Sequence, residues 1–329
     1  MKNIKIFHTI GFIPSEDKIN RNNFLPAILH CLTNIKFLTN FILGFNNTIN
    51  INKLLNSYQN LLQEISRTNQ KEISITNFEK ILFENDEYIN DKEKCNPKFL
   101  FDNLITNFHQ FYLKQFNNTT IFDNISVVFQ TTLSCPQCQK QTEEIKKEEK
   151  YLVYDIRKEY KDEDDDKYNN IYDCLKNYLN NEKEIINKKC TNCKKETLQK
   201  AKKIYKTLPE VLIIHVDYGN DKTYILDREI EFNEKLDFST INNIDIEETY
   251  RNKKYYLSSL ICVREIMGIK REYFYTFCRE SEESKYFCFN EEKVHEVKDI
   301  DKKLKKSEIN LNNKKERFPY ILIYSSFSQ

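Results

Sequence analysis

Two identical cysteine spacings constrain this chain more than anything else in it: Cys135-Pro-Gln-Cys138 and Cys190-Thr-Asn-Cys193. A two-residue gap lets both thiolates of one knuckle face the same ion, and two knuckles complete a tetrahedral shell of four thiolates. A closed shell leaves no open position for water, so the Zn2+ it would hold is structural. Metal binding then supplies folding free energy to a segment with little core of its own. The 51 residues 139–189 that separate the knuckles exceed a short ribbon loop. Four ordinary buried cysteines, or a redox dithiol, are the other uses of this spacing, but a redox motif needs no second copy. The other six cysteines (Cys31, Cys95, Cys174, Cys262, Cys278 and Cys288) stand singly in helical or strand-like stretches, where cysteine serves as a small core residue.

The flanking sequence divides into two regimes. Residues 1–22 look irregular. A helical pattern then runs from Phe24 to Leu43, with Leu25, Ile28, Leu29 and Leu32 on one stripe, and further helical patterns fall near 52–66, 76–86 and 98–115. From Ile121 the character changes to strands: 121–135, which ends at the first knuckle, and 149–157. A charged run at 161–167 reads as a solvated loop, and 172–181 as a short helix before the second knuckle. Strands follow it, ending with PYILIYSS, and 298–316 reads as a polar surface loop. Helices first, then a cysteine-bearing β insertion, then strands joined by short turns: this order predicts an α+β fold with a mostly antiparallel sheet.

Composition narrows the function classes. With 40% apolar residues the 329-residue chain can bury a sizeable core. Its 51 basic and 50 acidic residues give a net charge of +1, which offers no reason to expect direct nucleic-acid binding. No stretch reaches the ~18 apolar residues of a membrane span, and the amino-terminal residues lack a secretory pattern. The expectation is an intracellular protein, cytoplasmic or nuclear, with no membrane partner.

In order and spacing the chain resembles the ubiquitin-specific proteases. The resemblance rests on the β segment up to Cys135, the paired knuckles, and the Cys174, Leu175, Tyr178, Glu182 element. It continues through LPEVLIIHVDY (208–218) and the closing elements YYLSSLI, REYFYTFCR, YFCFNEEKV and PYILIY. It implies a papain-like cysteine-protease fold in one domain spanning 1–329: a helical thumb (1–118), β fingers carrying the zinc ribbon (119–210) and an antiparallel β palm (211–329). It also implies thiol-dependent deubiquitinase ancestry and a grip on ubiquitin.

Where the family has its nucleophile box, this chain reads Arg21-Asn22-Asn23-Phe24-Leu25-Pro26, so Asn23 stands at the cysteine position. An amide nitrogen is no nucleophile at neutral pH, whereas asparagine is a good helix N-cap, and the sequence places the helix start just after it. Cys31 lies eight residues further on, ~12 Å along a helix axis, and cannot substitute. The family's base box matches Glu272-Tyr273-Phe274-Tyr275-Thr276-Phe277, with Tyr273 at the histidine position. A phenol, titrating near ~10, is a poor proton acceptor at pH 7. Arg271 and Glu272 replace the small residues past which the family threads the ubiquitin tail. The third position matches Asn290, which with no histidine to orient reads as a turn residue. His8, His30, His109, His215 and His295 read as packing or surface residues. The resemblance therefore implies a pseudo-deubiquitinase that binds ubiquitin, a ubiquitin-related protein or another partner in a complex. Two other implied readings are an active deubiquitinase whose boxes align elsewhere, and a spliceosomal non-catalytic factor, whose branch also replaces the cysteine and the histidine.

Overall fold

The computed structural model describes residues 10–14, 24–44, 52–85, 97–116, 123–149, 152–155, 175, 184–217, 232–241, 246–266, 269–290, 293–298, 300 and 315–326. The chain divides into two compact units. The first comprises Met1–Phe122 and Ser258–Ile323, the second Asp123–Leu257 and Tyr324–Gln329.

The first unit is organised around a helix that is apolar on every side. α1 (Leu25–Asn34) has nine consecutive buried residues, Leu25 to Thr33. A helix of that kind belongs inside a core. Around it stand α2 (Lys36–Leu43), α3 (Lys53–Arg67), α4 (Thr76–Asn85) and α5 (Pro97–Phe116). The 52–66, 76–86 and 98–115 patterns are thus helices within a residue or two. The Phe24–Leu43 pattern is not one helix: Ile35, at ψ 89°, breaks it. Two threonines hold the break. Thr33 Oγ1 donates to the His30 carbonyl at 2.9 Å, and Thr39 Oγ1 donates back to the Thr33 carbonyl at 2.9 Å. Side-chain bonds of this kind compete with the helical ladder.

Residues 1–22, read as irregular, contain β1 (Gly11–Ile13), which pairs in parallel with β2 (Glu72–Ser74). The unit's main sheet holds β10 (Lys254–Ile266), β11 (Ile269–Cys278), β12 (Tyr286–Asn290), β13 (Lys293–Val297) and β14 (Lys315–Ser325), in the order β13-β12-β11-β10-β14. The β10-β11-β12-β13 run is antiparallel, as the short turns require. α1 lies against β11 and β12. Thr276 Oγ1 donates to the Ala27 carbonyl at 3.0 Å. At the other end of α1, Asn34 Nδ2 reaches Ser259 Oγ at 2.8 Å, the Ser258 carbonyl at 3.0 Å and the Arg279 carbonyl at 3.1 Å.

The second unit carries the ribbon. β3 (Val127–Ser134), β4 (Gln141–Glu149), β6 (Glu184–Lys189) and β7 (Glu196–Thr207) form an antiparallel sheet ordered β4-β3-β7-β6. β4 was not foreseen: QTEEIKKEE shows no apolar alternation, and pairing with β3 makes it a strand. β5 (Leu152–Asp155) joins β8 (Val211–Asp217) in parallel, within a fold expected to be mostly antiparallel. β9 (Lys235–Asp237) pairs with the first residues of β10. Lys253 anchors this region. Its ammonium reaches Glu210 Oε1 at 2.9 Å and the Leu208 carbonyl at 3.2 Å, and lies over the Tyr250 and Tyr255 rings. The expected helix at 172–181 apart from a buried, helical Leu175, the charged run 161–167 and nearly all of 298–314 lie outside the described residues. Among the described residues no helix is long and apolar enough to cross a membrane.

Candidate functional site

The two knuckles are near copies of each other. In the first, Gln139 N–H donates to the Cys135 carbonyl at 2.9 Å, and Cys135 N–H donates to the Lys140 carbonyl at 3.1 Å. In the second, Lys194 N–H donates to the Cys190 carbonyl at 3.0 Å and Cys190 N–H to the Lys195 carbonyl at 2.9 Å. Each turn needs a residue in the left-handed region, and Gln139 (φ 56°) and Lys194 (φ 61°) fill that role without being glycine. The β3-β7 and β7-β6 pairings bring the knuckles together from opposite ends of the 51-residue gap.

The four sulfurs lie within 4.8 Å of one another. Cys135 and Cys193 Sγ are 3.8 Å apart, and Cys138 and Cys190 Sγ 3.6 Å apart. These distances are far beyond a disulfide, and all four cysteines are free. A tetrahedral ion with ~2.3 Å bonds to sulfur places its ligands about 3.8 Å apart, close to the Cys135–Cys193 and Cys138–Cys190 separations, so the cluster suits Zn2+. Its electrostatics point the same way. The Cys138 backbone N–H, with Thr197 and Gln137, pulls the Cys135 thiol down to about 6, and the Lys140 backbone N–H lowers Cys138. At Cys193 the Lys195 N–H acts in the same direction, but burial and the adjacent sulfurs push the thiol up to about 11. Four thiolates so close together need a cation to stabilise the last of them. The zinc is structural, since all four tetrahedral positions are filled by sulfur. Thr197, which sequence reasoning missed, lies with Oγ1 3.6 Å from Cys135 Sγ.

The positions matched to the protease triad belong to the first unit. Asn23 lies outside the described residues. The expectation that it caps the helix is corrected: the cap position is Phe24, at φ −93° and ψ −15°, with no side-chain cap bond. Pro26 in the first turn sets the start instead, since its fixed φ is already helical. Tyr273 sits in β11, where it pairs with Arg264, and its side chain lies outside the described residues. Asn290 ends β12, is exposed, and pairs with Lys293 across the turn into β13.

The residues that follow Asn23 and Tyr273 meet. The Phe24 and Phe274 rings are 5.6 Å apart, edge to face, and Phe274 meets Tyr320 in the same manner at 6.1 Å. Cys31 is fully buried, and burial first, then Cys278, holds its thiol well above the ordinary range. Cys262, Cys278 and Cys288 are buried too, while Cys95 and Cys174 lie outside the described residues. His30 is stacked between Phe12 and Phe289, with centroids at 4.2 and 4.0 Å. His109 and His215 are buried, His295 is exposed on β13, and His8 lies outside the described residues.

A helical unit with an antiparallel sheet, and a second unit bearing a four-cysteine ribbon, define the α+β fold of the ubiquitin-specific proteases. Residues 18–324 match the family described as ubiquitin carboxyl-terminal hydrolase, and the chain belongs to that family. Its structure is similar to a chain of the SAGA DUB module Ubp8/Sgf11/Sus1/Sgf73 bound to monoubiquitin, and to one of the same module bound to ubiquitin aldehyde. In both cases the TM-score is 0.68 at 16% identity, covering 97% of this chain and 69% of the other. No curated protein matches.

Proposed function

We propose that this chain is a pseudo-deubiquitinase: a single ubiquitin-specific-protease-like domain over residues 1–329, with thumb 1–118, fingers 119–210 and palm 211–329, that binds ubiquitin or scaffolds a complex without hydrolysing isopeptide bonds. The observation that carries this reading is the contact between Phe24 and Phe274. It sets the start of α1 against β11, the two segments in which the sequence places Asn23 and Tyr273 as remnants of nucleophile and base. Alternation along β11 gives Tyr273 the sheet face opposite Phe274, so the contact speaks for the alignment of the segments and not for a meeting of the two side chains. A carboxamide cannot attack a carbonyl carbon at neutral pH, and a phenol does not accept its proton there. Asn290 supplies a third-position acceptor with no imidazole to orient.

The thiol nearest in sequence offers no rescue. Cys31 is sealed inside α1, and its raised pKa keeps it protonated, whereas nucleophilic cysteines are exposed and acidic. Zinc held by Cys135, Cys138, Cys190 and Cys193 stabilises the fingers and takes no part in chemistry. The partner read here is ubiquitin, a ubiquitin-related protein or a subunit of a complex, and the ubiquitin-bound modules of similar fold support the first of these.

The test is ubiquitin carrying a cysteine-reactive electrophile at its carboxyl terminus. The zinc-loaded protein is expected to give no adduct by intact mass and no release from a fluorogenic ubiquitin amide. An adduct abolished by Cys31→Ala, or by substitution of any other cysteine, would establish an active thiol protease instead. Binding of unmodified ubiquitin, measured separately by titration, distinguishes a ubiquitin reader from a scaffold for another partner.

A further inference from the structure

The ribbon carries far more positive charge than the chain as a whole. Residues 188–203 hold seven lysines and one glutamate, in a protein of net charge +1. The strand register decides where those charges point. Residues directly opposite on neighbouring strands share a face, and alternate residues along a strand share it too. Lys200 lies opposite Ser134 and Lys202 opposite Thr132, so these four residues occupy one face of the β3-β7 pair. Leu198, two residues before Lys200, lies opposite Asn187 on β6, which puts Lys189 on this face as well. Lys189, Lys200 and Lys202 are exposed. Leu198 is 63% exposed, the most exposed large hydrophobic side chain among the described residues. The alternate positions of β7 (Thr197, Gln199, Ala201) are buried, so the sheet has one covered face and one face open to solvent. Glu196, opposite Lys189, is the acidic residue among the described side chains of the open face, and Glu143 holds the register position opposite Thr132.

We propose that this face docks an extended acidic segment of a partner protein, with carboxylates placed on Lys200, Lys202 and Lys189 and an apolar side chain placed on Leu198. Alternate residues along β7 stand ~6.6–6.8 Å apart, which is also the repeat of same-side residues in an extended peptide. The charge strip therefore matches a chain in which glutamate or aspartate occurs at every second position. Thr132 and Ser134 add hydroxyls beside the lysines for residual polar groups. A nucleic-acid strand fits less well. Neither arginine nor an aromatic ring stands among the described side chains of this face, so it offers no stacking platform for bases, and a phosphate backbone has no use for Leu198. Exposed lysine–carboxylate pairs are individually weak and screened by salt, so the docking is low in affinity and dependent on ionic strength.

The experiment is fluorescence anisotropy on the full zinc-loaded chain. The probe is a fluorescein-labelled peptide in which glutamate alternates with leucine and valine; a matched peptide with glutamine in place of glutamate and a labelled duplex DNA serve as comparisons. Saturable binding of the acidic peptide is expected, weakening as salt is raised, with the glutamine peptide unbound. Lys200→Glu/Lys202→Glu is expected to weaken binding by about tenfold or more, as reversal of complementary charge does. Leu198→Ser is expected to weaken it several-fold. Zinc content and circular dichroism of both variants should match the parent, since the substituted residues are exposed. Three outcomes would each overturn the proposal: no saturable binding of the acidic peptide, binding indifferent to the charge-reversed variant, or duplex DNA bound more tightly than the peptide.

Discussion

The ring of Phe24 stands edge-on to the ring of Phe274, 5.6 Å between centroids, at the point where α1 approaches the main sheet of the first unit. Both residues are buried. An edge-to-face pair is worth about 0.5–1.5 kcal/mol beyond the area it covers, and removing a buried phenylalanine costs about 3–5 kcal/mol. We expect Phe24→Ala and Phe274→Ala each to destabilise by that larger amount in urea unfolding, and the double variant to lose less than their sum by roughly the pair term. Strict additivity would mean that the two rings are neighbours without coupling.

Asn34 closes the other end of the same helix. Its amide nitrogen has three acceptors within 3.1 Å, two of them the carbonyls of Ser258 and Arg279. Asn34→Ala leaves those acceptors short of a donor, a loss of about 1–3 kcal/mol. Asn34→Asp should cost more than alanine, because a carboxylate would face two carbonyl oxygens and could donate nothing to them. The order Asn, Ala, Asp in urea midpoint is the check. An aspartate variant as stable as the parent would show that Asn34 is solvated and does not clamp the helix.

These two contacts mark the limit of what the chain discloses by pattern alone. The helices near 52–66, 76–86 and 98–115 and the late strands were legible because their apolar residues repeat at 3.6 or at 2, and the zinc ligands because two identical spacings are hard to explain otherwise. β4 was not legible. A strand of nearly continuous charge carries no burial signal, and it exists because β3 offers it hydrogen bonds. Nor was the break at Ile35, since apolar residues continue through Leu38 and Ile42, and the interruption shows in the Ile35 backbone and the hydrogen bonds of Thr33 and Thr39. At Asn23 composition misled: a good capping residue stands beside the helix, but Pro26 fixes the start one residue later. Asn23, Tyr273 and Asn290 are read from the sequence as identities alone, while the packing of Phe24 on Phe274 and of His30 on Phe289 depends on contacts between segments some 250 residues apart.

Acid stability offers a third expectation. Partial burial would by itself raise the Glu210 pKa, but the Ser326 hydroxyl and the Lys253 ammonium hold it below the ordinary glutamate value. A carboxylate depressed in the folded state contributes stability above its unfolded pKa, ~4.3, and loses it as the pH falls through the folded value. Stability should therefore drop from about pH 5 downward, and Glu210→Gln should flatten part of that fall while lowering stability at neutral pH. Thermal midpoints taken across this range for parent and variant decide it. Identical slopes would show that Glu210 is not linked to folding.

The ribbon gives the last expectation. Thr197 Oγ1 lies 3.6 Å from Cys135 Sγ, close enough to donate a weak hydrogen bond to a thiolate ligand. Thr197→Val keeps the shape and removes the donor, and outer-shell losses of this sort lower metal affinity about 10–100-fold. Cys138→Ser, which removes a ligand outright, should bind zinc more weakly still. It should also unfold the β3-β4 and β6-β7 hairpins, because zinc-binding free energy is folding free energy in a site closed by four thiolates. Competition with a chromogenic chelator orders the three proteins by affinity. Far-ultraviolet circular dichroism before and after chelation reads the strands directly. If stripping the metal left the strand signal intact, the sheet would be stable on its own pairings, and zinc would be a passenger in a site the fold had already built.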